Sequence, residues 1–540
     1  MRKSTFIRRA LILVVPALLL TSCVTFGDIL KSSEFGATSS SANEVTSEVT
    51  GSENPYPLNG TYGVNDYEHP ITANPDTLNN YYKVEPLNNN SRLINNYAIS
   101  NTMGLAHLDS VSNQKMMVVP VKFTDTPASY GGEATIQGAI NRAFFGESSD
   151  TGWESVASYY YKSSYGRLSL TGEVMPLFDM GYSTTELLAK TVDGYQYWDK
   201  SHYVLEQVYN TYLSSTLKEY DQNNDGFVDS VFFVYLAPVD YESDDTLFWA
   251  FQYFWNRFAD KNKPVFNAYG WASYEFMVEA PGYTYLKPAA HTYIHESGHI
   301  LSFDDYYDYD GTIAPAGAID MMDHNIIDHN MFSKFSANWS TPYVPVGNSD
   351  IRLRPAESSG DFIIINDAWN GHAYDEYILI EYYTPTGLNA RDSLSVSGYN
   401  GVKGYTIPGV RIWHVDARLV ILSNNGNTKK WSDTIPPHLD GSGGSWMDFA
   451  TSNTPSYNYA HNSLHKLHLL DGRGRAQTWA NNLVKADDSA LFQTGTVIAS
   501  NNWQKYLLKR ATFNDGSVIG YSIEIGEMNS EGVTIKIRKA

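Results

Sequence analysis

The stretch HTYIHESGHILSFDDYYD, residues 291–308, decides how the chain is read. It carries His295, Glu296 and His299 in the order H-E-x-x-H. Residues four apart share one face of a helix, so both imidazoles can reach a single ion. Two neutral imidazoles and a third ligand hold zinc and leave one position open for water. Glu296, beside the first histidine, is placed to take a proton from that water. His291 lies one turn earlier on the same face. A turn rises about 5.4 Å, so His291 and His299 cannot both reach one ion. His291 is read as a helix-face residue or as a donor behind the ligands.

The third ligand follows from what surrounds the motif. One class of zinc peptidase takes a glutamate from a later helix, but no glutamate occurs between Glu296 and Glu357. The other pattern is H-E-x-x-H-x-x-G-x-x-H, sometimes with aspartate last. Asp305 occupies that last position, with Asp304 and Asp308 as near misses. A carboxylate is an acceptable zinc ligand. Ser302 stands where glycine is expected. Leaving a helix through a left-handed residue with a Cβ costs about 1 kcal/mol, which a packed domain absorbs. A metzincin-like site also has a methionine turn beneath the metal. GAIDMMDHN, residues 317–325, offers Met322 for that place, with Met321 as the alternative. His324 and His329 follow, and either can be imagined steadying a tetrahedral intermediate.

A second constellation is DQNNDGFVD, residues 221–229. Asp221, Asn223 and Asp225 alternate, Gly226 permits a sharp turn, and Asp229 closes the loop. Hard oxygen ligands at this spacing suit calcium. An EF-hand carries its bidentate glutamate where this chain has Phe232, so the loop is EF-like only. The competing reading is a hydrogen-bonded Asx-rich turn.

Outward from these motifs, helix and strand patterns mix from about 115 to 345. MMVVPVKF and SVFFVYLAP read as buried strands, and EATIQGAINRAFFG, WESVASYYYKSSYG, SHYVLEQVYNTYLSSTLKEY, LKPAAHTYIHESGHIL and MFSKFSANW as helices. From 346 to 540 the texture changes to short strands between Gly/Asn/Asp/Ser loops: DIRLRP, GDFIIIN, DEYILIEYY, PGVRIWHVD, SVIGYSIEIG and EGVTIKIRK. The expectation is an α+β catalytic domain followed by a β-sandwich-like all-β region. Residues 57–114, Asn-rich and weakly patterned, read as an N-terminal arm packed on the next domain.

Residues 1–22 have a basic start and an apolar run, and end at Thr21-Ser22-Cys23. This predicts a secretory signal with a bacterial lipobox, Cys23 taking the lipid. Such an anchor holds a protein at a membrane surface. Residues 23–56 are Ser/Thr/Glu-rich and read as a flexible tether. Cys23 is the sole cysteine, which excludes an intramolecular disulfide. The net charge of −21 argues against sequence-independent nucleic-acid binding, which needs a basic face.

Several stretches together resemble the immune inhibitor A-like family of secreted bacterial zinc metallopeptidases. WESVASYYYKSSYGRLSLTGEV looks like its helix-strand block, and DQNNDGFVDSVFFVY is similar to its D-x-D-x-D-G-x-x-D loop and strand. HESGHILSFDDYYD matches H-E-x-G-H-x-L-G-x-x-D-x-Y-D except at Ser302, and GAIDMMD sits where the family usually has G-x-W-D-x-M-S, with Ile319 in place of tryptophan. YILIEYY and PGVRIWHVD resemble the strands that follow, so the likeness covers roughly 116–416. It implies zinc on His295, His299 and Asp305, Glu296 as general base, and endopeptidase activity on proteins. It also implies a metzincin-like domain followed by β-rich domains. The competing readings are a non-catalytic surface lipoprotein that grips glycans or host protein through an aromatic-rich β domain, and a calcium-stabilised structural lipoprotein.

Overall fold

The computed structural model describes residues 73–84, 108–190, 198–239, 246–255, 257–396, 401–423, 429–432, 445–457, 464–479, 485–508 and 511–540. The expected signal, Cys23 and the tether lie outside the described residues. The chain mixes helix and strand in two principal sheets. The first strand, β1 (Asn79–Lys83), joins the second of these sheets.

The first sheet holds β2 (Ser112–Lys122), β3 (Leu168–Val174), β4 (Phe178–Asp179), β5 (Val231–Tyr235), β6 (Phe251–Phe254) and β7 (Ala268–Ser273). Its order is β3-β2-β5-β7-β6, with β4 also on β2. All its pairs are parallel except β6–β7. Parallel strands need covered faces, and β5 and β7 are buried throughout. The two-residue period of a strand sends alternate side chains to opposite sides. Met116, Val118, Phe232 and Val234 face one core, while Met117, Val119, Phe233 and Tyr235 face another. Helices α1 (Glu133–Phe145) and α2 (Val156–Ser163) cover the first side, and α3 (Trp198–Thr211) the second.

Helix α4 (His291–Ile300) packs on β7 and β6 and is buried almost all round. It starts later than the expected 286. Pro288 disfavours helix at the residue before it, and Thr284 and Lys287 pair in a turn instead. Two short helices follow, α5 (Met321–His324) and α6 (Met331–Ser336).

The second sheet contains β8 (Tyr343–Leu353), β9 (Phe362–Ile365), β10 (Glu376–Tyr383) and β11 (Gly409–Asp416). A smaller sheet of β12 (Leu419–Ser423), β13 (Lys429–Ser432) and β14 (Ser445–Phe449) comes next. Then β15 (Leu467–Leu469), β16 (Val497–Ile498), β17 (Tyr521–Asn529) and β18 (Gly532–Lys539) complete the nine-stranded sheet. Its order is β15-β11-β10-β9-β8-β18-β17-β16, with β1 also on β8.

The all-β region is organised by one nine-stranded sheet whose two faces do different jobs. Ile378, Ile380, Val410 and Ile412 face a core closed by the chain's later strands, while Tyr377, Leu379, Trp413 and Val415 face the core that also holds Tyr293 and Ile294 of α4. Strand β8 spans residues 345 and 346, and one core includes residues on both sides of them. Within the stretch read as an arm, 57–114, β1 pairs with β8. Tyr81 to Lys83 bond along β8, and Tyr82 and Val84 are buried in the shared core.

Candidate metal centre

The helix that carries the motif ends by a specific device. Ser302 takes φ 68°, the amide of Phe303 donates to Gly298 O at 2.9 Å, and that of Ser302 to His299 O at 2.8 Å. This is a Schellman stop with serine in the left-handed place where glycine was expected. The chain then turns back across the helix end. The carbonyl of Phe303 lands 2.7 Å from Nδ1 of His299. Nδ1 of His295 is 2.9 Å from the carbonyl of Met321. A carbonyl only accepts, so each Nδ1 carries a proton, and each ring when neutral presents its lone pair at Nε2.

Those lone pairs converge with a carboxylate. The two Nε2 atoms are 3.2 Å apart, and Asp305 Oδ1 lies 3.0 Å from His295 Nε2 and 3.2 Å from His299 Nε2. Zinc bonds of about 2.0–2.1 Å put tetrahedral ligands roughly 3.3 Å apart. Asp305 Oδ1 is buried yet has no aligned hydrogen-bond donor, an orphaned acceptor at the meeting point. Its other oxygen accepts from the Tyr309 hydroxyl at 2.6 Å, which fixes the carboxylate plane. Without a cation the trio must share protons. Burial disfavours charged His299, but Asp305 outweighs it and holds the ring up at about 9. Burial opposes charge on Asp305 too, and His299 and His295 still hold it well below the usual carboxylate range. The donor set fits zinc.

Asp304 and Asp308 are engaged elsewhere. Asp304 is ion-paired with Lys466. Asp308 folds its own loop, its Oδ2 accepting from the amides of Thr312 at 2.8 Å and Ile313 at 3.1 Å. Glu296 is buried beside the trio, and burial raises its pKa against the pull of His295 and His299. A raised carboxylate is better matched to a proton-transfer role near neutral pH.

The methionine pair divides its work. Met321 supplies the carbonyl under His295, and the thioether of Met322 lies against Gly298 in the turn between the two histidines. A Cβ on Gly298 would meet Met322 Sδ at 2.6 Å, so that glycine permits the close approach. Asp320 caps α5 and Tyr306 N donates to Met322 O at 2.8 Å, pinning the turn under the ligand loop.

His291 is placed apart from the trio. Its Nε2 is 3.2 Å from Asp392 Oδ1 and its ring stacks on Trp153 at 4.4 Å. His324 pairs with Asp323 at 2.7 Å. His329 is buried among Tyr159, Tyr160, Phe303 and Trp339. Sequence reasoning missed Tyr309 and Lys466. Nothing local marks either one.

No protein-family model matches the chain, and no curated protein matches it as a relative.

The acidic loop also closes on itself. The carboxylates of Asp221, Asp225 and Asp229 lie within 4.8 Å of one another. Asp221 accepts from the amides of Asp225 at 3.0 Å and Gly226 at 3.1 Å, Asn223 from Asp225 N at 2.9 Å, and Asp229 Oδ2 from Gln222 N at 2.8 Å. These are Asx-turn bonds, yet Asp229 Oδ1 is buried with no donor. Burial pushes Asp229 up to about 8. An oxygen-rich cluster with one orphaned oxygen fits a hard cation such as calcium.

Proposed function

We propose that this chain is a zinc endopeptidase with a metzincin-like centre, of the immune inhibitor A-like kind, cutting peptide bonds of extracellular proteins. The observation that carries the reading is the meeting of His295 Nε2, His299 Nε2 and Asp305 Oδ1 within 3.2 Å, with both tautomers set and the carboxylate oxygen orphaned. His295, His299 and Asp305 would hold the metal. Bound zinc supplies Lewis acidity toward a water and toward the scissile carbonyl. Glu296 accepts the proton as water adds to the carbonyl carbon, then delivers it to the departing amine nitrogen as the C–N bond breaks. Cys23 and the basic-apolar stretch before it support export and lipid anchoring at a bacterial surface. The acidic loop is read as a calcium site.

The test is metal content together with cleavage of a generic protein substrate. Wild type should hold about one zinc per chain. Glu296→Ala should keep that zinc and lose at least about 10²–10⁴-fold in kcat/KM. Asp305→Ala should lose stoichiometric zinc, and Asp304→Ala should not. Zinc-free wild type, or activity indifferent to Glu296, sinks the proposal.

A further inference from the structure

The two histidine ligands ride on a helix, whose own hydrogen bonds fix them. Asp305 does not. It sits on the irregular segment between the Schellman stop and the methionine turn, and an irregular segment needs outside support to hold a ligand in place. That support comes from beyond β11. The ammonium of Lys466 pairs with Asp304. Asn453 Nδ2 donates to Tyr306 O at 2.8 Å. Tyr309 N donates to Thr454 Oγ1 at 2.9 Å. The segment is thus held at 304, 306 and 309, on both sides of Asp305.

These holders are themselves anchored to the large sheet. The carbonyl of Lys466 accepts from Asp416 N, at the end of β11, at 2.9 Å. Asn453 also donates to Leu467 O at 2.9 Å and accepts from Leu467 N at 3.0 Å. Lys466 is 3% exposed, whereas its partner Asp304 is 26% exposed. The enclosed Lys466 Nζ also lies 4.4 Å over the Phe449 ring, so it sits between an aromatic face and the ligand loop. Groups that hold ligands from behind typically change metal affinity 10–100-fold when removed.

We propose that Lys466, supported by Asn453 and Thr454, is a positioning residue of the metal centre, so that the β-rich region forms part of that centre's wall. The inference rests on the zinc reading above. It gives the region after β11 a role in holding metal, which a separable binding module would not have.

The experiment compares full-length wild type, Lys466→Met, Asp304→Asn and the double variant. Zinc affinity is read by chelator competition, ligand geometry by the visible spectrum of the cobalt-substituted protein, and stability by melting of the metal-free form. Methionine fills much of the space of lysine, so the enclosed site keeps its packing and the metal-free melting temperature should not fall. Zinc affinity should drop about 10–100-fold in each single variant, with an altered cobalt spectrum. The double variant should be no worse than either single, because the pair acts as a unit. Wild-type affinity and spectrum in Lys466→Met overturn the proposal, as do additive losses in the double variant. A lower metal-free melting temperature with unchanged zinc affinity also overturns it, showing a structural role only. Absence of metal from wild type sinks the zinc reading and this inference together, whereas equal metal in all four proteins sinks this inference alone.

Discussion

Ser302 shows how a residue can look wrong and still mark the site. Its φ of 68° is the conformation the motif demands of glycine, and its hydroxyl is buried without a partner. Both features oppose folding. Ser302→Gly should therefore stabilise the protein by about 1 kcal/mol, read by denaturant unfolding, with zinc affinity retained. A loss of stability would mean that the Schellman stop is not strained. At the acidic loop, Asp229 carries the orphaned oxygen. Calcium should raise the wild-type melting temperature, and Asp229→Ala should remove that response. Equal melting with and without calcium in wild type would leave the loop as an Asx turn. The residues legible in the sequence were those whose partners lie within a helical turn or a short loop: His295, Glu296, His299, then Asp305. Tyr309 lies only four residues from Asp305 but on an irregular segment whose path no periodicity encodes, and Lys466 meets Asp304 from far along the chain, just before β15.

Among elements, α4 and the methionine turn behave as one part. Gly298 lies inside a helix, where alanine would ordinarily be worth about 1 kcal/mol more. Here its Cβ would approach Met322 Sδ to 2.6 Å and the Tyr160 hydroxyl to 3.1 Å. Overpacking of that kind costs typically 1–3 kcal/mol, so the clash wins. Gly298→Ala should lower the melting temperature and weaken zinc binding by displacing one of the two elements. A more stable Gly298→Ala protein would show that the methionine turn moves freely. Element types were largely legible, because β5, β10 and β18 have long apolar or alternating runs and α1 has a clear face. The start of α4 and the pairing of β1 were not. The first depended on Pro288, and the second on a partner strand some 270 residues away in sequence, as the Asn79–Ser349 pair shows.

At the scale of the whole molecule, burial keeps two histidines at and just before β15 neutral. Burial pushes His465 down to about 3 and His468 to about 4. In the unfolded chain both would titrate near 6.5. Below that pH the unfolded state binds protons the folded state refuses, so stability falls as pH drops from 6.5 toward 4 and is unaffected by these groups above it. The slope is about 1.4 kcal/mol per pH unit for each such group. His465→Phe should flatten the loss of stability between pH 6.5 and 4.5, read from urea midpoints of the metal-free protein. An unchanged slope would mean that His465 is protonated in the fold.

Strand β8 has a further consequence. Ser349 pairs with Asn79 and also with Ile537. The sheet that leans on the ligand loop thus joins segments almost as far apart along the chain as this sequence allows. Bringing such distant segments together is slow, because loop closure precedes any reward from contact. During synthesis, residues 304–309 emerge long before 532–539, the strand that completes the pairing of β8. The final placement of the loop at 304–309 would therefore come late in folding, once the sheet behind it has closed.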